Sequence, residues 1–406
     1  MTALARRVVV TGAGAVSAAG LGADALWRAA RDGRSQIRPL QFAREYTGRI
    51  KIGAQVPGFE PTDHLDKATL AYCDPFAQYA LVAADEAVAQ AGFPQRDVGG
   101  ARCGVLLGSG IGGIRTVDDG LYNLYAKGQK PEVLSVPKLI GSAASSMVSI
   151  RFDARGPVFT VTSACSSASQ AIGMGMQMIR AGLMDRALVG GAEASLSIGT
   201  QTTWEMLRVM TPDKCRPFSK GRNGMSIGDG AAVFVLETET DARARGAIIL
   251  AYLDGYGTSA DARDPVRPDV DGATAAMRLA LEDAGAPPDS IDYVNAHGTA
   301  TALNDPTEAE AMARIFGARA PHVPVSSSKP IHGHGLGAAG ALELIVTLGA
   351  MRENVAPPTI NFLEADPKCP VDCVPNVARP TPIRTAMSNS FAFGGVNATL
   401  VLRAAG

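Results

Sequence analysis

One grammar of short β-branched runs and helical stretches is written twice along this chain, and that repetition narrows the choice of fold more than any other feature. Val8, Val9 and Val10 predict a buried strand running into a glycine turn at Gly12, Ala13 and Gly14, and residues 23–31 read as a helix. Residues 74–91 form the clearest amphipathic helix, with Phe76, Ala80, Ala83, Ala84 and Ala87 at helical spacing and Gly92 as its stop. Strands are predicted at 103–107, 158–162 and 187–189, with a helix over 165–180. The charged, Arg-rich stretch after Glu237, through Arg245, reads as an exposed connection. The pattern then restarts: helices at 274–284, 306–316 and 337–351, strands at 292–295 and 323–326, and a glycine-interrupted hairpin over 386–402. Strands alternating with helices of this size call for βαβ units and mostly parallel sheets. The restart reads as a duplication, although no crisp sequence repeat accompanies it.

Several functional classes fall away early. At 46% hydrophobic and 19% charged residues, the chain has material for a large core and is too apolar for disorder. Its 38 Lys and Arg balance 39 Asp and Glu to a net charge of -1, so it lacks the basic excess that phosphate backbones reward. The longest uncharged run, 156–179, carries Pro157 and many Ser, Thr and Gly residues, so no membrane span is expected. The six cysteines, at 73, 103, 165, 215, 369 and 373, form no disulfide framework, and a reducing, soluble compartment is the expectation. Cys369 and Cys373 resemble half a metal site, but no second ligand pair follows. The Gly12–Gly14 segment tempts a dinucleotide reading. However, Ser17 stands where the third glycine belongs and no acidic residue follows at the required distance, which leaves tight turning and close backbone packing.

The sharpest constellation centres on Cys165, between a predicted strand and a helix of small residues. Unpaired N–H groups at a helix start favour a thiolate, so a lowered thiol pKa is expected here, with a buried structural cysteine as the alternative. Of five histidines, four (His297, His322, His332, His334) fall between 297 and 334. His297 lies just past a strand beside Gly298, and His334 lies between Gly333 and Gly335, positions where glycine leaves room for a ligand. Metal ligation and structural roles are the rivals for that pair, and His322 and His332 read as structural or surface residues. The turn around Phe393, Gly394 and Gly395 offers N–H groups for an oxyanion, or is simply a hairpin turn with two core phenylalanines.

Taken together, Thr162-Ser163-Ala164-Cys165-Ser166-Ser167, Asn295-Ala296-His297-Gly298-Thr299 with Asn304, Asp305 and Glu308, Ser328-Lys329, Gly333-His334, Leu336 to Gly340 with Glu343, and Asn389 to Gly395 resemble the β-ketoacyl-[acyl carrier protein] synthases of the type I/II, Cys-His-His class. The resemblance runs over essentially the whole chain. It implies an α/β duplicated thiolase-like fold, layered α-β-α-β-α with mixed sheets, whose halves are expected at 1–255, carrying the nucleophile, and 256–406, carrying the histidines. It implies an acyltransferase performing decarboxylative Claisen condensation of an acyl thioester with malonyl-ACP, in fatty-acid or related lipid and polyketide elongation. Cys165 matches the acyl-accepting nucleophile, His297 and His334 the pair acting on malonyl, and Lys329 and Glu343 the charged support. Phe393 matches both an oxyanion donor and a gate, and Ile111 an acyl-pocket position. No tightly bound cofactor and no metal are implied; substrates ride on the phosphopantetheine of an acyl carrier protein. A cytoplasmic homodimer joined along residues 158–162 is expected, with a heterodimer as the alternative.

Departures from the family pattern sit at Val133 to Lys138 and at Arg222-Asn223-Gly224-Met225, where the family carries Arg-Asp-Gly-Phe; the first predicts an altered acyl tunnel. Lys127, Lys130, Arg208 and Lys214 are candidates for a basic patch facing an acidic carrier. A CoA-dependent thiolase would need a second cysteine where Phe393 stands. A non-catalytic chain-length or scaffold partner would have lost the nucleophile.

Overall fold

The computed structural model describes residues 6–94 and 97–405. Its first glycines do not turn the chain. Strand β1 (Val8–Ser17) runs straight through Gly12 and Gly14, with a bulge between Val10 and Gly12. The glycines are needed because helix α1 (Pro75–Gln90) lies directly on the strand. A Cβ on Gly12 would sit 2.0 Å from the Ala87 carbonyl oxygen, and one on Gly14 would sit 2.1 Å from that of Ala83. Close packing, not a turn, explains them. Asp74 caps α1 by accepting the Phe76 N–H at 3.3 Å, and Pro75 fills the first helical position.

Four further strands complete the first half: β2 (Cys103–Gly108), β3 (Val158–Val161), β4 (Arg186–Glu193) and β5 (Gly230–Thr238). Their order is β3-β2-β4-β5-β1, parallel among the first three and antiparallel thereafter. The second half repeats this with β6 (Ala251–Ala260), β7 (Tyr293–Asn295), β8 (Val325–Ser326), β9 (Thr385–Ala392) and β10 (Val396–Ala404). They are ordered β8-β7-β9-β10-β6, with the same parallel and antiparallel pairings. A three-residue ladder between β1 and β6, Val8–Val10 against Ala251–Leu253, joins the halves into one hydrogen-bonded path. Residues 255 and 256 both lie within β6, so the expected division falls inside a strand.

Alternation along the strands builds the layers. On β2, Leu106 faces a central core while Val105 and Leu107 face an outer one with α1; on β7, Tyr293 faces the central core and Val294 a third. The central core holds helices α2 (Ser167–Arg180) and α6 (Ala339–Glu353), and the third lies under α4 (Val270–Ala284) and α5 (Asn304–Phe316). Strands buried on both faces are mostly apolar, which is why β1, β2 and β5 read as near-continuous runs; β9, with buried Ser388, Asn389 and Ser390, is an exception. The central helices are rich in small residues because they are pressed together: a Cβ on Gly340 would meet Ser169 Oγ at 2.1 Å.

The Arg-rich stretch is an exposed connection, as expected, except at Arg245. Glu237 is still within β5, and Arg245 folds back to pair with its buried carboxylate at 2.5 Å while donating to the Ala91 carbonyl at 2.6 Å. A buried carboxylate demands such a partner, and the intervening residues form the short helix Glu239–Ala244. Among the described residues no helix is long and apolar enough to cross a membrane.

Candidate active site

Strand β3 delivers the chain to Cys165 through a forced turn. Ala164 sits at φ 49°, a left-handed conformation that costs a non-glycine residue energy, and the 3-10 turn Ala164–Ser166 then feeds α2. Small residues are required here, since a Cβ on Gly108 would lie 2.3 Å from the Ala168 nitrogen. Cys165 is 5% exposed. His334 Nε2 lies 3.1 Å from its sulfur, and the Phe393 backbone N–H is directed at the same atom. Burial pushes the thiol up to about 11 and outweighs the opposing pull of Lys329 and the Phe393 N–H. The lowered pKa expected from the helix start is therefore reversed, because dehydrating a thiolate costs more than the nearby donors return.

His297 follows β7, held by Glu308 on α5. One carboxylate oxygen accepts the His297 N–H and the other that of Gly298, each at 2.8 Å. Gly298 is at φ 41°, and a Cβ there would press Ser327 at 2.6 Å. Burial pushes Glu308 up to about 7 against those two donors. His334 is fixed by its backbone: its N–H donates to Ser226 O at 2.7 Å and its carbonyl accepts from Gly228 at 3.0 Å. The two imidazoles meet nearly edge to face, with centroids 5.3 Å apart.

Lys329, 1% exposed, organises this pair from beneath. Its ammonium is ion-paired with the fully buried Glu343 and donates to the His297 carbonyl at 2.5 Å, with His297 Nδ1 at 3.3 Å. Because an ammonium only donates, Nδ1 must accept, which leaves the His297 proton on Nε2. Burial, first, and Lys329, second, hold both imidazoles well below their ordinary pKa, so both rings are neutral. Burial likewise pushes Glu343 up to about 7, with Lys329 pulling the other way.

Donor atoms of Cys165, His297 and His334 all lie within 4.8 Å of one another. That composition matches a three-ligand zinc site, but an ammonium against His297 Nδ1 opposes a cation and favours developing negative charge. A cavity of about 320 Å³ opens onto these groups, walled by Thr299, Thr301, Met225, Arg208, Phe391 and Phe393 among others.

The structure thus brings Cys165, His297, His334, Lys329, Glu343 and Phe393 together. Ile111 is elsewhere: it is 39% exposed, just before the helix Ile114–Lys127, and does not line the cavity. Val133, at 97% exposed, is also outside the cavity, whereas Asn223, Gly224 and Met225 form part of its wall. Arg222 braces that wall by donating to the Thr301 carbonyl at 3.1 Å and pairing with Asp366. Of the four candidate basic residues, Arg208 lines the cavity, while Lys127, Lys130 and Lys214 lie exposed outside it. His332 is buried against Ser328 Oγ at 2.9 Å and His322 is exposed, as their sequence context suggested. Sequence reasoning missed Glu193, a fully buried carboxylate accepting the N–H groups of Gly110 (2.6 Å) and Gly337 (3.0 Å), and Trp204, which stacks on Phe393. Neither carried a local signal: Trp204, one of two tryptophans, lies inside a helix whose sequence does not point to the glycine turn nearly 190 residues further on.

Residues 5–242 match the family description "Beta-ketoacyl synthase, N-terminal domain" and residues 250–363 match "Beta-ketoacyl synthase, C-terminal domain". The chain belongs to the β-ketoacyl synthase family. It is 43% identical over 399 residues to nodulation protein E of Rhizobium sp. (strain N33), covering 98% of this chain and 99% of that protein. It is 40% identical over 406 residues to 3-oxoacyl-[acyl-carrier-protein] synthase 2 of Coxiella burnetii, covering 98% of each. Among solved structures, a type II PKS acyl-carrier protein in complex with its ketosynthase superposes with a TM-score of 0.91 at 29% identity, over 99% of this chain and 100% of that one. The protein is therefore a thiolase-fold condensing enzyme with a Cys-His-His triad, and it performs Claisen-type acyl condensation.

Proposed function

We propose that the chain elongates acyl groups held on an acyl carrier protein, using malonyl on the same kind of carrier, and that Cys165 is the acyl-accepting nucleophile. The observation that carries this reading is the placement of one thiol against two neutral imidazoles, one of them locked by Lys329 with its proton on Nε2. A thiol at 3.1 Å from His334 Nε2 passes its proton to that nitrogen as the sulfur attacks the acyl carbonyl. The proton then leaves with the carrier's pantetheine thiolate, so the acyl-enzyme is neutral. The N–H groups of Cys165 and Phe393 hold the oxyanion of that step.

Malonyl-carrier enters next. As its carboxylate departs as carbon dioxide, negative charge develops on the thioester oxygen, and His297 Nε2–H, the tautomer that Lys329 fixes, donates to it; His334 joins as a second donor once its own proton has moved from Nδ1 to Nε2. Each such preorganised donor contributes roughly 3–4 kcal/mol in enzymes where one has been removed. Neutral imidazoles stabilise the enolate without supplying a strong acid to quench it. The carbanion attacks the acyl-cysteine, the C–S bond breaks, the departing Cys165 thiolate takes a proton from solvent to restore the thiol, and the product leaves as a β-ketoacyl thioester two carbons longer. Glu343 neutralises Lys329 so that the ammonium can remain buried.

The working unit is proposed to be a cytoplasmic homodimer. Strand β3 ends the sheet with no further strand beyond it among the described residues, and its four residues are only partly buried. An uncovered edge of this kind is a template for pairing with a second copy. Exposed Tyr125, Val133, Val136 and Ile150 supply apolar surface for the same assembly. The two halves are proposed to be the products of duplication, the first giving the thiol and the second the imidazoles. The test is a two-stage incubation followed by mass spectrometry. Acyl-carrier should add one acyl group to Cys165, and malonyl-carrier should then discharge it as a β-ketoacyl product with release of carbon dioxide. Equal turnover by Cys165→Ala would overturn the assignment, and release of the acyl chain unextended would remove the condensation.

A further inference from the structure

Glu193 ends β4 just ahead of helix α3 (Ile198–Met206), fully buried, with four uncharged donors around its carboxylate. Oε2 accepts the Gly110 N–H at 2.6 Å and the Gly337 N–H at 3.0 Å. Oε1 accepts the Ile111 N–H at 3.3 Å and the Ser109 hydroxyl at 3.4 Å. Donors of this number let a buried carboxylate stay ionised without a cation beside it. They come from two distant parts of the chain. Ser109, Gly110 and Ile111 form the loop after β2, and the Ser109 N–H is bonded to the Val161 carbonyl at 3.1 Å, at the end of the strand that leads to Cys165. Gly337 belongs to the turn that links His334 to α6. The fit is tight: a Cβ on Gly110 would lie 2.9 Å from Oε2, and one on Gly337 would lie 2.6 Å from it. Glu193 does not line the cavity that opens onto Cys165, so it stands behind the reacting groups and not among them.

We infer that Glu193 is a positioning residue: by holding the loop after β2 and the turn beyond His334 on one carboxylate, it fixes the approach of His334 Nε2 to the Cys165 sulfur. This rests on the function proposed above, in which the Cys165 S–H passes its proton to that nitrogen while the sulfur–acyl bond forms and the pantetheine–acyl bond breaks. The two oxygens have separate duties. Oε2 ties the first half to the second, and Oε1 steadies the loop after β2 alone. A glutamine separates these duties, because its amide has one acceptor atom. With that oxygen on Gly110 and Gly337, the NH2 group takes the place of Oε1, losing Ile111 and donating to Ser109 Oγ. A leucine removes both. The Gly110 and Gly337 N–H groups are then stranded and the two loops part, and a displacement of about 1 Å between reacting groups costs on the order of 10²-fold in rate. The thiol itself becomes more acidic, since burial first, and then the Glu343 and Glu193 charges, hold it protonated.

The experiment compares wild type, Glu193→Gln and Glu193→Leu above pH 7, where the carboxyl, pushed up by burial to about 7, is ionised. Transfer from octanoyl-carrier to Cys165 is timed by mass over a range of carrier concentrations, and Cys165 is alkylated with iodoacetamide in parallel. The other five cysteines are free and buried, so their alkylation in the same spectra counts any unfolded protein. Expected in Glu193→Leu are a maximal transfer rate down on the order of 10²-fold, an unchanged half-saturating carrier concentration, and alkylation of Cys165 no slower than in wild type while the other cysteines stay protected. Glu193→Gln, which keeps the tie, should lose about tenfold or less. Transfer at the wild-type rate in a folded Glu193→Leu overturns the positioning role and leaves the function standing. So does a Glu193→Gln as slow as Glu193→Leu, a loss confined to the half-saturating concentration, or a parallel fall in alkylation. If wild type forms no adduct, the function falls and the role of Glu193 with it. Should Glu193→Leu unfold, Gly110→Ala decides instead: its Cβ presses on Oε2 with the carboxylate in place, and unchanged transfer in that variant overturns the role.

Discussion

Replacing Lys329 with Met keeps most of the side-chain volume and deletes the charge on which the site is built. The ammonium touches the Glu343 carboxylate, the His297 carbonyl and His297 Nδ1. Glu343 Oε2 has no hydrogen-bond partner even in the intact protein, so without Lys329 both oxygens are stranded in a fully buried place. Breaking a buried pair from one side costs about 3–5 kcal/mol when the remaining charge persists. The carboxyl can escape that cost by taking a proton, and this makes the defect depend on pH. Burial already raises Glu343 from 4.5 to about 7 with Lys329 present, and losing Lys329 raises it further. A carboxyl whose folded pKa exceeds its unfolded value contributes stability at low pH that is lost as pH climbs to the folded value.

Wild type and variant therefore lose this contribution in parallel up to about pH 7. Above that, wild type levels off while the variant continues to fall, by at most about 1.4 kcal/mol per pH unit, or about 3 kcal/mol by pH 9. That agrees with the cost of breaking the pair. Urea unfolding of both proteins from pH 6 to 9 should show a gap that is steady at first and widens above neutrality. Adding Glu343→Leu should abolish the widening. Condensation should remain about 10²–10³-fold down in both variants, because nothing then fixes the His297 proton on Nε2. A gap that stays flat or narrows above pH 7 refutes the buried-charge account, and recovery of the double variant to within tenfold of wild-type activity refutes the role given to the ammonium.

Two further outcomes follow from the same geometry. With Cys165 held up at about 11, its alkylation by iodoacetamide should accelerate nearly tenfold per pH unit from pH 7 to 9; a plateau below pH 8 would show that the helix start wins over burial after all. Static light scattering should give a particle of twice the 42.0 kDa chain mass, and a monodisperse single chain at working concentrations would remove the pairing proposed for β3.

Much of this was legible in residue order. The strand and helix alternation gave the layers, because sheets covered on both faces favour near-continuous apolar runs, and the segments around Cys165, His297, Lys329 and His334 carried the chemistry. What escaped was whatever depends on a neighbour far along the chain. Gly12 and Gly14 looked like a turn because a glycine's local signature is the same whether it serves a dihedral angle or the approach of another backbone; only α1, more than sixty residues on, decides which. Arg245 looked solvated until Glu237 was seen to be buried beside it. The Cys165 pKa failed for the same reason. Helix-end donors are visible locally, whereas the dehydration that outweighs them is imposed by both halves of the molecule.

The repeated topology explains why no single segment displays the whole site. Each half contains the same device: a residue forced to positive φ, a 3-10 turn, then a central helix. In the first half Ala164 at φ 49° opens the turn Ala164–Ser166 before α2; in the second Leu336 at φ 45° opens Leu336–Ala338 before α6. Cys165 and Gly337 thus occupy corresponding positions. Gly337 can carry no side chain, since its Cβ would lie 2.1 Å from the Gly110 nitrogen and 2.6 Å from Glu193 Oε2. One copy of the device presents a thiol; the other has no side chain, which leaves room for the loop after β2 and the turn beyond His334 to share one buried carboxylate. Because the two copies do different work, the site exists only where the halves meet. Its parts are 169 residues apart in the case of Cys165 and His334, and only the shared fold brings them within one hydrogen bond.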